Sequence, residues 1–238
     1  MKAKIIFVVS ILFLFLSCTG KKMEIHGSNL GYLGIEKDNK LNIYRFIDEW
    51  IEIPDHSFPL QRGDKIVYFD IGLMVIQKRN ELKFYYYNDG WIDAEGTFTL
   101  PSGYEYVFYN RYSSDIHLVK ANTLKTCKFS HRHWEEMTEI NFPLPQNHGD
   151  IFLFSWLGTV SLGVAENGSL NFHELDGSGI SKKIAGFTLP NGYKKIIPNY
   201  QGIGVVENDV IKFYKLSPDN IEDQKWLESA DMEFFIKS

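Results

Sequence analysis

The chain has 238 residues with 25 basic and 30 acidic side chains, a formal net charge of −5. An acidic protein without a Lys/Arg cluster is a poor nucleic-acid binder, because phosphate neutralisation supplies most of that affinity. Two cysteines exclude a disulfide-stapled scaffold, while 18 Phe, 13 Tyr and 5 Trp can furnish a large aromatic core.

Residues 1–17 have the anatomy of an export leader. Lys2 and Lys4 form a basic start, and an apolar run from Ile5 to Leu16 follows, too short to span a membrane comfortably. It ends Phe15-Leu16-Ser17-Cys18-Thr19-Gly20. A small residue directly before Cys at the end of such a run resembles a bacterial lipobox. The resemblance implies cleavage before Cys18 and modification of Cys18 with palmitate-type acyl chains, which would anchor the protein to a membrane. Thr19 stands where an inner-membrane retention signal would commonly be Asp, so the expected address is the outer membrane. Residues 18–23 read as a lipidated tether and 24–238 as one domain. With Cys18 lipidated, Cys127 has no disulfide partner, and it is expected to pack as a small residue between strands.

The remainder is repetitive. Leu41, Leu82, Leu124, Leu170 and Ile211 each open a Leu-Lys/Asn-aromatic segment, at steps of about 41 to 46 residues. Four short strands per unit at that period is the signature of a β-propeller blade, so five units predict an all-β, five-bladed propeller of four-stranded antiparallel blades. The strands are apolar on both faces more often than alternating, as sheets packed between two neighbours require.

The second unit shows the pattern. An inner strand, Lys65 to Asp70, is followed by the strand Gly72 to Gln77 and the polar turn Lys78-Arg79-Asn80-Glu81. The return strand Leu82 to Tyr87 leads into Asn88-Asp89-Gly90, residue types that tolerate positive φ. A fourth strand opens at Trp91 and runs toward Phe98, with Gly96 as a bend or bulge. Trp50, Trp91, Trp134 and Trp226 share one place in the repeat, with Ile180 in the fourth copy. Phe58, Phe98, Phe142, Phe187 and Phe234 share another. Met23 to His26 is expected to give the first blade its innermost strand, and Met232 to Ile236 to complete the last blade without exchange between the termini.

The segment Gly90-Trp91-Ile92-Asp93-Ala94-Glu95-Gly96, followed by Leu100-Pro101 and Tyr104-Glu105-Tyr106-Val107, resembles the WG (or KWG) repeat of bacteria. Phe187-Thr188-Leu189-Pro190 and Phe142-Pro143-Leu144-Pro145 keep its second half. The resemblance implies a propeller-like scaffold associated with binding more than with catalysis.

No nucleophile elbow, phosphate loop or zinc-protease helix occurs. His131 and His133, with His148 as a third ligand, are the nearest approach to a metal motif, but they sit in a turn, so no metal and no cofactor is expected. A glycosidase at the ring mouth would need two facing carboxylates. Asp70 ends one inner strand, while the similar places hold Asn110, Ser155 and Asn199, so no catalytic residues are assigned and no enzymatic activity is expected. The same strand ends, with Asp70, Asn110, Tyr112, Trp156 and Tyr200, combine hydrogen-bonding groups with aromatic faces suited to a sugar or peptide. The reading is a lipid-anchored envelope protein that binds a protein or glycan partner. The alternative is a carbohydrate-active hydrolase using the ring mouth.

Overall fold

Every repeat is anchored by its Leu or Ile: Leu41, Leu82, Leu124, Leu170 and Ile211 are fully shielded from solvent. The computed structural model describes residues 23–28, 30–120, 123–130, 133–141, 144–145, 147–156, 159–176, 179–199, 202–216, 226–229 and 232–236. They form five antiparallel sheets arranged as a five-bladed β-propeller.

Blade 1 contains β1 (Glu24–Gly27), β2 (Tyr32–Lys37), β3 (Lys40–Phe46), β4 (Trp50–Glu52) and β5 (Phe58–Pro59). Blade 2 contains β6 (Asp64–Phe69), β7 (Leu73–Lys78), β8 (Glu81–Tyr87) and β9 (Trp91–Thr99), and blade 3 contains β10 (Tyr106–Asn110), β11 (Asp115–Lys120), β12 (Thr123–Ser130) and β13 (His133–Asn141). Blade 4 contains β14 (His148–Trp156), β15 (Thr159–Glu166), β16 (Ser169–Asp176) and β17 (Gly179–Thr188). Blade 5 contains β18 (Lys195–Asn199), β19 (Gly202–Glu207), β20 (Val210–Leu216), β21 (Trp226–Glu228) and β22 (Phe234–Phe235).

The short hairpins follow from turn chemistry. Arg79, Asn167 and Asn208 hold φ of 57°, 48° and 50°, the left-handed conformation that tight two-residue hairpins demand. Gly96, at φ 117°, lies opposite a register shift in β8, the bulge expected there. In blade 1 the outer strand is split into β4 and β5, both paired with β3, because Pro54 opens a 3₁₀ turn over Pro54–His56 and cannot donate to the ladder. The outer strand of blade 5 is split in the same way into β21 and β22, both paired with β20.

Five apolar clusters fill the five junctions between blades, which is why the strands are apolar on both faces. Leu41, Ile43 and Phe58 meet Phe69, Met74 and Ile76 between blades 1 and 2. Cys127, 6% exposed, packs in the cluster between blades 2 and 3. The ring closes between blades 5 and 1 through Ile25, Leu33 and Ile35 against Ile197, Ile211 and Phe213. Among the described residues no strand is exchanged: β1 belongs to the first blade and β22 to the last. At this closure a Cβ on Gly27 would stand 2.0 Å from the Pro198 carbonyl oxygen, so the backbones of β1 and β18 can meet only because the residue is glycine.

The ladder also fixes which residues are equivalent. In every blade the residue five after the repeat Leu pairs with the Trp position: Phe46 with Trp50, Tyr87 with Trp91, Phe129 with Trp134, Leu175 with Ile180 and Leu216 with Trp226. The repeat Leu itself faces Phe58, Phe98, Phe187 and, in blade 5, Phe234. Blade 3 departs from the expectation. Leu124 pairs with Ile140, so Ile140 and not Phe142 holds that place; Phe142 lies outside the described residues. The reason is the size of the bulge: the two places lie six residues apart on β13, with one register shift between Thr126 and Cys127, and seven apart on β9 and β17.

Candidate functional site

Each inner strand is the first of its blade, and β1, β18, β14, β10 and β6 meet in turn around the axis. They enclose a central channel of about 340 Å³. Because all five inner strands begin at the same face, their first residues ring one mouth (the entry face). The hairpin turns that follow them ring the other (the turn face).

Of the expected mouth residues, Asp70, Asn110 and Tyr112 lie on the turn face, where the Asp70 and Asn110 side chains bond internally. Asp70 follows β6 with its side chain only 2% exposed. Its Oδ1 accepts from the backbone N–H groups of Gly72 (2.6 Å) and Leu73 (2.7 Å), which fixes the turn into β7. Its Oδ2 accepts from the Tyr68 hydroxyl at 2.9 Å and lies 3.4 Å from Arg111 Nε of the next blade. Burial first, and then Asp70, push the Tyr68 phenol well above its ordinary range. Asn110 has the same duty: its Oδ1 accepts from Tyr112 N–H at 3.1 Å. Ser28 repeats it in blade 1, accepting from Leu30 N–H at 3.2 Å. In blade 4 the ladder pairs Trp156 with Thr159, so the equivalent place falls on Trp156 rather than Ser155. The Trp156 side chain, Tyr200 and Cys18 lie outside the described residues, as does His131.

Among the described residues, what the turn face offers is concentrated at blades 2 and 3. The turn 111–114 leans the Arg111 guanidinium toward Asp70 and leaves it 40% exposed. Beside it Tyr112 is 62% exposed, and across the blade junction Tyr86 and its ladder partner Ile92 are about half exposed. At the same blade junction a cavity of about 130 Å³ is walled by Phe84, Tyr86, Tyr109 and Trp134, with Ala94, Gly96 and Ser114 completing it. It is smaller than the 300–1,000 Å³ or so of drug-sized pockets, so it accommodates one ring-sized group at a time. Aromatic walls suit a sugar ring or a planar side chain. Sequence reasoning located Asp70 and Tyr112 but missed Arg111 and the cavity, since those depend on which blades are neighbours.

The entry face is more strongly polar than the sequence indicated. Lys195 donates its Nζ to the Ile25 carbonyl at 2.6 Å, linking blades 5 and 1. Asp150 accepts from Ile196 N–H at 2.7 Å, linking blades 4 and 5. Burial raises the Asp150 carboxyl above its usual range, against the lowering effects of that hydrogen bond and of Lys195. His148 has its Nδ1 3.1 Å from the Gly149 carbonyl oxygen and 3.5 Å from the Tyr106 hydroxyl.

No family model matches the chain, and no curated protein matches it. Several solved structures follow a similar chain path. Hsv2 of Kluyveromyces lactis is 10% identical, over 91% of this chain and 100% of that one, with a TM-score of 0.49. The SapL1 lectin, solved with alpha methyl fucoside, is 13% identical over 90% of this chain and 82% of that one, also at 0.49. A protein of unknown function from Desulfotomaculum acetoxidans is 9% identical over 90% of this chain and 69% of that one, at 0.46. None of these likenesses is close enough to carry a functional argument, and the architecture rests on the strand pairing of this chain.

Proposed function

We propose that this protein is an exported, lipid-anchored β-propeller that acts by binding, and that the aromatic cavity between blades 2 and 3 is its recognition surface. The observation that carries the reading is the aromatic cavity that Tyr86 helps to wall, at a blade junction that also exposes Ile92, Tyr112 and the Arg111 guanidinium paired with Asp70. Its occupant is a glycan residue or an aromatic or acidic side chain of a protein partner. Binding rather than catalysis at this mouth is supported by Asp70, the one carboxylate that the sequence singles out there, which accepts four hydrogen bonds or charges from within the protein. The degenerate WG-type copies fit the same role, as a scaffold whose repeats hold up one surface.

Cys18 is the proposed anchor, and the outer membrane the proposed location. β1 begins at Glu24, so residues 18–23 alone separate the lipid from the first blade. Six extended residues reach at most about 20 Å. The tether enters at the entry face, which therefore lies against the membrane and presents the turn face, with Tyr112 and the cavity, away from it.

Two measurements test this. Protease access on intact cells, against cells with an opened outer membrane and a Cys18→Ala control, places the propeller; loss of membrane association in Cys18→Ala is the expected result. Binding of the protein to isolated cell-wall and surface glycans, and to envelope proteins by crosslinking, is then compared with Tyr86→Ala and Tyr112→Ala. Both side chains are largely exposed, so these variants should fold, and unchanged binding in both would overturn the assignment. Release of reducing ends from a bound glycan would instead establish the hydrolase alternative.

A further inference from the structure

At the entry face, well away from the aromatic cavity, three potential ligand groups converge on one side of blade 1. Glu24 and Glu36 are paired directly across the β1–β2 ladder, and His26 lies two residues after Glu24 on the same face. One ligand atom from each lies within 4.8 Å of the others. The His26 Nε2 atom is buried without a hydrogen-bond partner, and stands 3.6 Å from Glu36 Oε2, too far for a hydrogen bond.

This arrangement is unfavourable for the protein alone. Like charges directly opposite on an antiparallel ladder repel. A buried ring nitrogen with no partner loses its solvation without compensation. Lys195 is close by but donates its Nζ to the Ile25 carbonyl.

We propose that Glu24, His26 and Glu36 form a binding site for a first-row divalent cation, with zinc as the best fit. One imidazole and two carboxylates is a donor set that zinc accepts at about 2.0–2.2 Å, with water completing a tetrahedron. The edge of such a tetrahedron is about 3.4 Å for those bond lengths. The His26–Glu36 separation of 3.6 Å already matches it, so only Glu24, which is exposed, has to swing in. All three ligands sit on paired strands rather than on a loop, which presents them with little ordering cost. The cation would neutralise the facing carboxylates and occupy the unpartnered nitrogen. It would also brace β1, the inner strand at the ring closure.

The test uses the full-length protein in detergent, stripped with a chelator and titrated with zinc alone, then with cobalt. One equivalent of zinc is expected, with a raised unfolding temperature and the visible absorption of tetrahedral cobalt. His26→Gln and Glu36→Gln should each weaken zinc binding by about ten-fold or more. Glu24→Gln, at an exposed position, should weaken it without disturbing the far-UV circular dichroism, which keeps the test decisive if the other two variants fold poorly. Glu52→Gln, on the outer strand of the same blade, should have no effect. Failure to bind zinc, or binding that none of Glu24→Gln, His26→Gln and Glu36→Gln weakens, would overturn the site. Neither result bears on the aromatic cavity.

Discussion

Trp91 of blade 2 meets Phe58 of blade 1 edge-on, with ring centroids 5.6 Å apart and planes at 77°. Its indole N–H donates to the His56 carbonyl at 3.0 Å, two residues before that Phe. The relation recurs at the ring closure, where Trp50 meets Phe234 at 5.8 Å and 86° and donates to the carbonyl of Met232, again two residues before the Phe. Trp134 on Phe98 and Trp226 on Phe187 repeat the edge-on contact, at 5.0 and 5.4 Å. Each Trp thus clamps its own blade to the preceding one. The junction between blades 3 and 4 departs from the rule: the ladder puts Ile180 in the Trp place and Ile140 in the Phe place, so both members of the pair change together.

The clamp has a measurable strength. Trp91→Ala removes the ring and its hydrogen bond, and should destabilise the protein by about 3 kcal/mol, the lower end for loss of a large packed aromatic. Trp91→Phe retains an apolar ring but leaves the His56 carbonyl unpaired, at a cost of about 1 kcal/mol. Denaturant unfolding of both variants gives the comparison, and an unchanged midpoint for Trp91→Ala would make the contact incidental.

Ring closure depends on Gly27. A single methyl there would overlap the Pro198 carbonyl of blade 5, and neither backbone can yield without parting β1 from β18. Gly27→Ala should therefore lower stability by about 3 kcal/mol, the upper range for overpacking. Amide exchange should quicken in β1 and β18 while β7 and β8 stay protected. Uniform quickening throughout the chain would instead mean that the ring unfolds as one unit.

Much of this architecture is legible in the sequence, because a propeller writes its period into it. Leu41, Leu82, Leu124, Leu170 and Ile211 mark the blades, and the Trp and Phe places mark the clamp between them. The exception at Ile140 was hidden because a bulge shifts register without changing residue types. The sites were far less legible. Asp70 and Asn110 look like ligand-facing strand ends, yet a carboxylate or amide after a strand is also what caps a turn, and here that use prevails. Arg111 reaches Asp70 from another blade, and Glu36 faces Glu24 through a pairing register, relations that no local pattern encodes.

Asp70 is accordingly a structural hub before it is anything else. Asp70→Ala leaves Tyr68 hydroxyl, two turn N–H groups and one side of the Arg111 guanidinium without their acceptor, and should cost about 3 kcal/mol. Asp70→Asn keeps an oxygen for the turn but loses the charge facing Arg111, so about half that loss is expected. Unfolding measurements on the two variants separate these contributions. Equal losses would assign the effect to the Oδ2 contacts with Tyr68 and Arg111.

His117 should make the protein sensitive to acid. It is 6% exposed, its Nδ1 lies 3.0 Å from Thr126 Oγ1, and its ladder partner Phe108 belongs to the cluster between blades 3 and 4. Burial lowers its pKa from 6.5 to about 4, with Asp115 acting weakly the other way. The unfolded chain then binds the proton at higher pH than the folded one, so stability from this group is complete above about pH 6.5 and is lost as pH falls toward about 4. The full swing is at most about 3 kcal/mol. His26, whose pKa is also lowered by burial, adds to the loss in the same direction. Denaturant midpoints taken from pH 8 to pH 4 should fall for the natural protein and fall by less for His117→Gln, which has no proton to gain. Parallel curves for the two would place the acid sensitivity elsewhere, with His26→Gln the next variant to measure.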